Sequence, residues 1–358
     1  MDIRQNGGWV RGVAEKSPRP AISTLLSKGF CLITDLKPLR FEQNVLTILD
    51  QRKLPNAEIW IPISHSEALW EAIQTLAIRG APLLGFAGLI GVYFSLLETD
   101  NEPDWMNRID ILRSVRPTAV NLAREVTKAV SILSGISKKQ QRINECLRLI
   151  QTAEVNSIKE CESIADFGCS LLQDGDGLFT HCNTGSLASI GIGTALGIIK
   201  KAYFTKKNIR VYHTETRPLW QGARLTAYEL MKCEIPAVMV IDSAISTLMA
   251  SGNITRVIVG ADRIALNGDT ANKIGTLSLA LSAHYYRIPF YVAAPTSTFD
   301  TQLRNGSEIP IELRNQQEVL MCEEKKLAPS ATKVWNPAFD VTPKELINAF
   351  ITELGINP

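Results

Sequence analysis

The feature that most constrains the fold is a regular alternation of short apolar strands and helix-compatible segments in the second half of the chain. The predicted strands cover residues 177–180, 209–213, 237–242, 256–259 and 290–294. The predicted helices between them cover 187–201, 222–232, 244–250 and 275–284. Strands that alternate with helices form parallel crossover units, so we expect a Rossmann-like, doubly wound parallel sheet. Ligands bind outside the carboxyl ends of the strands in such sheets.

The first 150 residues have a different pattern. Two or three short strands are predicted between residues 33 and 60, and apolar residues at helical spacing dominate 66–76 and 116–149. The chain has 358 residues, enough for two domains. The predicted α/β architecture therefore has an N-terminal extension of unassigned role (1–35), a smaller, mainly helical domain with a small sheet (36–150), and a Rossmann-like catalytic domain (151–358).

A long uncharged run between Arg79 and Glu98 is near the lower length limit for a membrane span. It opens with Pro82 and carries three glycines at a spacing of three residues, which favours a buried helix with close backbone packing. The first twenty residues lack the apolar core of a secretory signal. We therefore expect no membrane association and a cytoplasmic location.

Charge and cysteine usage exclude several classes of protein. The formal net charge is +2, far from the basic balance of a nucleic-acid binder, so no nucleic-acid partner is expected. Seven cysteines occur without a C-x-x-C pair, which argues against a disulfide framework or a zinc ribbon and favours a reducing compartment. Only four histidines are present, and none forms a zinc-binding pair. The sequence predicts no metal site.

Cys182 is the first candidate for chemistry, because it follows a predicted buried strand and precedes Asn-Thr-Gly-Ser. Backbone N–H groups at a following helix start can hold a phosphate or activate a thiol. Most single cysteines, however, are simply core residues. The neighbouring His181 has the same two interpretations, functional or structural.

Asp262 is the second candidate, since it follows the predicted strand at 256–259 directly. A carboxyl group partly buried at a sheet edge can have a raised pKa and act as a general acid. The competing interpretation is a helix cap or a pair with Arg263. Asp269, within Asn-Gly-Asp, is more typical of a turn.

Several basic residues lie in glycine- or proline-rich contexts that suit an anion: Arg79, Arg116, Arg217 and Lys273. The first of these precedes Gly80 and Ala81, whose backbone N–H groups can add to an anion site. Surface arginines are common, so each residue alone is weak evidence. The glycine series at 191, 193 and 197 is not a dinucleotide fingerprint, because its last spacing is one residue too long. A nicotinamide dehydrogenase is therefore disfavoured.

Long motifs spread over residues 36–358 carry a family resemblance. They are ILDQ with LP (48–51 and 54–55), IRGAPLLG (78–85), RPTAVNL (116–122), THCNTGSLA (180–188), ETRPLWQGARLTAYEL (215–230), IVGADRIALNGDTANKIGTLSLA (258–280), PFYVAAPTSTFD (289–300), IPIELR (309–314) and NPAFDVTP (336–343). In this order they resemble the methylthioribose-1-phosphate isomerases, in a superfamily that also contains regulatory subunits of initiation factor 2B. The chain departs from the usual family pattern at 123–125, 155–166 and 212–214.

The resemblance implies an aldose-ketose isomerase of methionine salvage that acts on a sugar phosphate. By motif, Cys182 and Asp262 match the catalytic pair of the family. The matching substrate-binding positions are Arg79, Gly80, Ala81, Arg116, Gln221, Asn272 and Lys273. The resemblance further implies a homodimer with no metal or organic cofactor. As a hypothesis, Asp262 protonates the ring oxygen, and Cys182 either relays a proton between C2 and C1 or stabilises a hydride shift.

Two alternatives stay open. A sister isomerase for 5-deoxyribose 1-phosphate or ribose 1,5-bisphosphate would use the same catalytic pair and would differ in the pocket around C5. A non-catalytic regulatory subunit would instead be expected to lack Cys182 or Asp262, and both are present.

Overall fold

The computed structural model describes residues 36–116, 120–205, 208–322 and 324–358. The predicted extension at 1–35 lies outside the described residues. The first part of the chain opens with an antiparallel sheet in the order β1-β2-β3. Its strands are β1 Leu39–Glu42, β2 Val45–Leu49 and β3 Trp60–Ile63. The helices that follow are α1 Ser66–Gln74, α2 Ala81–Glu98, α3 Glu102–Ser114, α4 Val120–Leu133 and α5 Lys139–Ser170.

Helix α2 is the centre of the first core. Its buried residues run without interruption from Leu83 to Leu96. The helix α4 packs closely on it, because a Cβ built at Gly88 would lie 2.8 Å from the side chain of Leu122. By length and composition α2 could cross a membrane, but 78% of it is buried inside the protein. The prediction of a buried helix here is confirmed.

The second part of the chain contains most of the strands. They are β4 Gly177–Thr180, β5 Arg210–Thr214, β6 Ala237–Val240, β7 Arg256–Val259, β8 Arg263–Ala265, β9 Thr270–Lys273, β10 Phe290–Ala293, β11 Phe299–Asp300, β12 Met321–Cys322, β13 Lys325–Lys326, β14 Phe339–Thr342, β15 Ala349–Thr352 and β16 Gly355–Asn357. The helices are α6 Ala195–Thr205, α7 Ala227–Lys232 after a π-helical turn at Gly222–Thr226, α8 Ile245–Ala250, α9 Thr276–Tyr285 and α10 Gln317–Leu320.

A seven-stranded sheet has the order β16-β15-β10-β7-β4-β5-β6. All its pairs are parallel except β15 with β16. The strand order reverses between β4 and β7, since the chain continues outward from β4 on one side and from β7 on the other. This is the topological switch point at which doubly wound sheets bind ligands. The predicted Rossmann-like sheet is confirmed, with one antiparallel edge strand added.

Helix α5 joins the two parts. Ile143 and Ile150, in its first half, are buried in the core formed with α2, whereas Ile164 and Cys169 are buried against the seven-stranded sheet. The predicted domain boundary at 150 falls inside this continuous helix. The division into domains at that residue stays a prediction.

The continuous helix predicted at 187–201 is wrong. A 3-10 turn covers Ser186–Ala188, and the α-helix begins only at Ala195. Glycines explain the interruption, because Gly191 and Gly193 have φ values of 131° and 99°, outside the helical region. Gly193 forms an isolated β-bridge with Gly185, and a Cβ on Gly193 would lie 2.4 Å from the Cα of Gly185.

A four-stranded sheet with the order β11-β8-β9-β14 follows β7 in the chain and was not predicted. Its β9 pairs antiparallel with β14, which is about seventy residues further along the chain. All four residues of β9 are buried. This sheet matters for the site because β9 carries Asn272 and Lys273.

Candidate active site

Cys182 lies in the loop that leaves the carboxyl end of β4, and it is 5% exposed. Its φ of 62° is unusual for a residue with a side chain. Two threonines hold this conformation: the backbone N of Cys182 donates to Oγ1 of Thr216 at 3.0 Å, and Oγ1 of Thr226 donates to its carbonyl oxygen at 2.5 Å. The loop that presents the thiol is therefore fixed from both sides.

His181 has a structural role behind this loop. Its imidazole is buried between Oγ1 of Thr214 at 2.7 Å and the carbonyl oxygen of Ile274 at 2.9 Å. The carbonyl can only accept, so Nε2 carries the proton. Burial lowers the pKa of His181, which keeps the ring neutral. Of the two interpretations given to His181, the contacts favour the structural one.

Asp262 lies directly beyond β7, and its backbone N donates to the carbonyl oxygen of Ala271 at 2.9 Å. Burial raises the pKa of its carboxyl, although Lys273, Arg116 and Arg79 act in the opposite direction. Part of its surface still faces the cleft. A carboxyl with a raised pKa holds its proton at a pH where an ordinary aspartate has lost it, as a general acid requires.

Asp269, by contrast, lies in the expected turn, where its backbone N donates to Oδ1 of Asn267.

Arg79 reaches from the first part of the chain to the cysteine loop. Its Nη2 lies 3.7 Å from Sγ of Cys182, and its Nη1 donates to Oδ1 of Asn183 at 3.3 Å. The next residue, Gly80, has φ 104° and precedes the first turn of α2, which begins at Ala81. A Cβ on Gly80 would lie 2.4 Å from the backbone of Ala188, so only glycine fits. The N–H groups at a helix start attract anions.

Lys273 and Asn272 reach the same cleft from β9. Nζ of Lys273 donates to the carbonyl oxygen of Ala338 at 2.9 Å and lies 4.5 Å from the ring centroid of Phe339. Burial lowers the pKa of Lys273, while Cys182 and Asp262 oppose that change. Asn272 donates from Nδ2 to Oγ1 of Thr276 at 3.0 Å.

Arg116 and Gln221 each present a buried polar atom for which the described part of the chain supplies no partner. Nε of Arg116 and Oε1 of Gln221 have no hydrogen-bond partner among the described residues. Nη2 of Arg116 lies 3.9 Å from Oε2 of Glu312. A buried polar atom left unpaired costs free energy, and a polar ligand in the cleft would remove that cost.

All nine residues that the sequence singled out by motif line one cleft. The cleft lies between the start of α2 and the switch point of the seven-stranded sheet. Three cationic side chains, Arg79, Arg116 and Lys273, surround a thiol and a carboxyl group. Arg217 is not among the residues that line it; its guanidinium lies over the ring of Trp220 at 4.7 Å. Within the described ranges, no group of three or more His, Cys, Asp or Glu residues could hold a metal ion.

Asn183 and Arg314 are among the residues of the cleft that sequence reasoning missed. Asn183 lines it and accepts a hydrogen bond from Arg79, as described above. Arg314 also lines it, and its Nη1 and Nε donate to Glu312 and Glu318, both at 2.8 Å. Both residues lie inside motifs that carry the resemblance, THCNTGSLA and IPIELR. Their position in those motifs could have indicated that they belong to the site.

Comparison with known proteins places the chain in a family. The model of the Initiation factor 2 subunit family matches residues 61–358. A methylthioribose-1-phosphate isomerase from Natranaerobius thermophilus is 43% identical over 335 residues, which cover 90% of this chain and 96% of that relative. Its counterpart from Thermotoga maritima is 45% identical over 328 residues, covering 89% of this chain and 94% of the relative.

Solved structures agree with this placement. A 5-methylthioribose 1-phosphate isomerase from Pyrococcus horikoshii superposes with a TM-score of 0.83 at 31% identity, covering 91% of this chain and 93% of that chain. A protein described as subunit delta of translation initiation factor eIF-2B from A. fulgidus gives a TM-score of 0.80 at 38% identity, covering 90% and 96% of the two chains. The chain belongs to the Initiation factor 2 subunit family. Within that family it is an enzyme, and it stands among the methylthioribose-1-phosphate isomerases.

Proposed function

We propose that this protein converts 5-methylthioribose 1-phosphate into 5-methylthioribulose 1-phosphate as a step of methionine salvage. It acts in the cytoplasm as a homodimer, with no metal or organic cofactor. One observation supports the proposal above the others: the thiol of Cys182 and the carboxyl of Asp262, whose pKa is raised by burial, converge on a single cleft that also holds three cationic side chains.

The substrate defines what the site must do. Its anomeric oxygen carries the phosphate, so the furanose ring cannot open to a free aldehyde. The bond between C1 and the ring oxygen has to break while the phosphate stays attached. Asp262 supplies a proton to the ring oxygen as that bond breaks, which its raised pKa favours. The positive charge that develops at C1 is stabilised by the bound phosphate.

Hydrogen then moves from C2 to C1. In one route the Cys182 thiolate removes the C2 proton, an enol phosphate forms, and the same proton is returned to C1. In the other route a hydride shifts directly from C2 to C1, and Cys182 stabilises the developing charge. In both, the C2 hydroxyl loses its proton as the carbonyl forms, and this proton restores the acid form of Asp262.

The remaining residues bind and orient the substrate. Arg79, Arg116 and Lys273 neutralise the phosphate, with the N–H groups of Gly80 and Ala81 at the start of α2. Gln221 and Asn272 hold sugar hydroxyls; the unpaired Oε1 of Gln221 is available to accept one. Holding the sugar in a reactive geometry accounts for a large part of the rate acceleration in such enzymes.

The lining favours a methylthio group at C5 over a second phosphate. Leu76, Leu84, Leu219 and Phe339 contribute apolar surface to the cleft. Arg314 also reaches it, but its guanidinium is already paired with Glu312 and Glu318. Among the described lining residues, the remaining cations are the three that we assign to the 1-phosphate, so no further cation is assigned to a 5-phosphate, which weakens the case for ribose 1,5-bisphosphate.

Incubating the purified protein with 5-methylthioribose 1-phosphate, 5-deoxyribose 1-phosphate and ribose 1,5-bisphosphate, and following ketose formation by NMR, tests the proposal. We expect the methylthio substrate to have the highest kcat/KM. Turnover of ribose 1,5-bisphosphate alone would assign the chain to the sister isomerases, and absence of any ketose would contradict the proposal. Deuterium from the solvent at C1 would favour the enol route.

A further inference from the structure

A buried carboxylate lies behind the cleft, on α7. Glu229 is fully buried and accepts four hydrogen bonds. Its Oε2 accepts from Nζ of Lys200 at 2.6 Å and from the backbone N of Ser186 at 2.8 Å. Its Oε1 accepts from Nδ2 of Asn183 at 2.8 Å and from the backbone N of Leu187 at 3.0 Å. This side chain is outside the residues that line the cleft, and the proposed mechanism does not use it.

The loop that follows Cys182 is wrapped around this carboxylate. A Cβ on Gly185 would lie 2.1 Å from Oε2 of Glu229, so the backbone passes the carboxylate at a distance that only glycine permits. Lys200, also fully buried, donates a further hydrogen bond to Oγ of Ser186 at 3.0 Å. Burying two opposite charges costs desolvation energy that their attraction does not always recover, so such a pair is weak evidence for a purely stabilising role.

The carboxylate fixes the direction of one side-chain amide. Because Nδ2 of Asn183 donates to Glu229, its Oδ1 must point the other way, and there it accepts from Nη1 of Arg79 at 3.3 Å. The flipped amide would place an oxygen against the carboxylate and an NH₂ group against the guanidinium, so both contacts would become repulsive. Nη2 of the same guanidinium lies 3.7 Å from Sγ of Cys182.

We propose that Glu229 is a positioning residue for the isomerisation: through Asn183 it holds the Arg79 guanidinium between Cys182 and the substrate phosphate. This inference rests on the proposed function, because it assigns a task within the same site. A neutral side chain at position 229 removes the charge that orients Asn183, and Arg79 then loses one of its two partners in the cysteine loop. The fold is retained where the backbone contacts of the loop survive.

Substitutions at Asn183 and Glu229 test the two contacts of this proposal, from Asn183 to Arg79 and from Glu229 to Asn183. Asn183→Ala removes the connection to Arg79 but leaves the Glu229–Lys200 pair and the two backbone donors in place. Glu229→Gln places an amide NH₂ opposite two donors in either orientation, and it also leaves Lys200 unpaired. It is therefore made both alone and together with Lys200→Met. We expect kcat/KM for 5-methylthioribose 1-phosphate to fall roughly 10- to 100-fold in each, as for other supporting residues.

Asp176→Asn is the matched control. Asp176 is also a buried carboxylate with several donors, namely the backbone N of Gln173, Oγ1 of Thr255 and Nε of Arg256, but it lies at the opposite end of β4 from Cys182. We expect it to lower thermal stability and to leave kcat/KM within about twofold of the unmodified protein.

A double-mutant cycle separates positioning from general damage. In an Arg79→Ala background, Asn183→Ala should lower kcat/KM by no more than about twofold, because the residue through which it acts is gone. A loss of equal size with and without Arg79 would overturn the inference, as would unchanged kinetics of Asn183→Ala. If Glu229→Gln alone does not fold, the double variant with Lys200→Met tests the contribution of Glu229, and this cycle tests the step from Asn183 to Arg79. An unmodified protein without activity on the substrate would contradict the proposed function instead.

Discussion

The guanidinium of Arg79 lies 3.7 Å from the sulfur of Cys182, although 103 residues separate the two in the chain. The arginine belongs to the segment that precedes α2, and the cysteine to the switch point of the seven-stranded sheet. The contact therefore joins the two parts of the molecule at the point where we place the chemistry. It also puts a permanent positive charge beside the atom that is proposed to accept a proton.

Cys182→Ser should lower kcat by orders of magnitude without unfolding the protein, because the hydroxyl is nearly isosteric but is a far weaker base than a thiolate. The backbone contacts of Cys182 with Thr216 and Thr226 do not involve the sulfur, so the loop is retained. Turnover by NMR and thermal unfolding measure the two effects. Cys322→Ser, a change at a partly exposed cysteine of β12, is the control and should keep full activity. Equal activity of the two variants would refute the role of Cys182.

Asp262→Asn should abolish most of the turnover, since an amide cannot donate the proton that the ring oxygen requires. The expected change is in kcat more than in KM, because the substrate-binding cations are unaltered. Asp174→Asn, at an exposed position before β4, serves as the control. A kcat within a few-fold of the unmodified protein would show that the proton comes from another group.

Activity should depend on pH with a defined sign. Asp262 acts in its protonated form, and burial raises its pKa, so kcat/KM should fall as the pH rises through that raised pKa. A fall of the same size in the residual activity of Asp262→Asn would contradict the acid assignment.

The free energy of unfolding should also decrease as the pH rises. Between the ordinary pKa of an aspartate and the raised value, the folded protein keeps a proton that the unfolded chain has lost. The free energy of unfolding therefore decreases as the pH rises through this window, and the contribution is fully present only below it. The slope should be smaller in Asp262→Asn. Thermal unfolding of both proteins across the pH range measures the difference.

Gln221→Leu should weaken substrate binding and leave stability unchanged or raise it by about 1 kcal/mol, because Oε1 of Gln221 is buried without a donor in the described structure. Gln51 also has a buried Oε1 without a donor among the described residues, but its Nε2 donates to the carbonyl oxygen of Leu187 at 2.7 Å. Gln51→Leu, which breaks that bond, should therefore be destabilising. KM and the thermal midpoint are the measurements. A marked loss of stability in Gln221→Leu would indicate that this side chain supports the fold rather than the ligand.

Gly80→Ala should cost more than about 2 kcal/mol of stability and most of the activity, because the new Cβ would meet the backbone of Ala188 at a φ of 104°. Gly175 also has a positive φ, of 84°, but a Cβ there meets no atom of the described residues within 4 Å. Gly175→Ala therefore separates backbone strain from the clash and should cost only about 1 kcal/mol. Equal losses in the two variants would show that the contact with Ala188 is unimportant.

The sequence predicted the central sheet because its strands are short apolar runs bounded by turn residues. It also placed Cys182 and Asp262 at the carboxyl ends of β4 and β7. Neighbouring strand ends in a parallel sheet lie close together, so their convergence could be anticipated. The small sheet that carries Lys273 could not, because β8 and β11 have only three and two residues and β9 pairs with a strand far along the chain.

The buried Lys200–Glu229 pair behind the cleft could not be predicted from the sequence either. The sequence pattern places Lys200 near the end of a predicted helix and Glu229 at a polar position of another helix, and both positions are typical of exposed residues. Their burial depends on how α6 and α7 pack against the cysteine loop, which no local pattern encodes. The glycines at 185, 191 and 193 were a usable signal, since they mark a backbone that bends sharply rather than a continuous helix.

Helix α5 has a consequence for how substrate enters. Its 32 residues form one rod of roughly 48 Å that is anchored in both hydrophobic cores. Arg79 and Arg116 belong to the first part of the chain, and the thiol and carboxyl group to the second, and all four line the cleft between them. Opening the cleft by moving the two parts of the molecule apart would have to bend this helix or remove its buried residues from one of the two cores. We therefore expect the substrate to enter through movement of side chains and loops at the rim of the cleft. The distance between the phosphate-binding arginines and the reacting groups should stay constant during turnover.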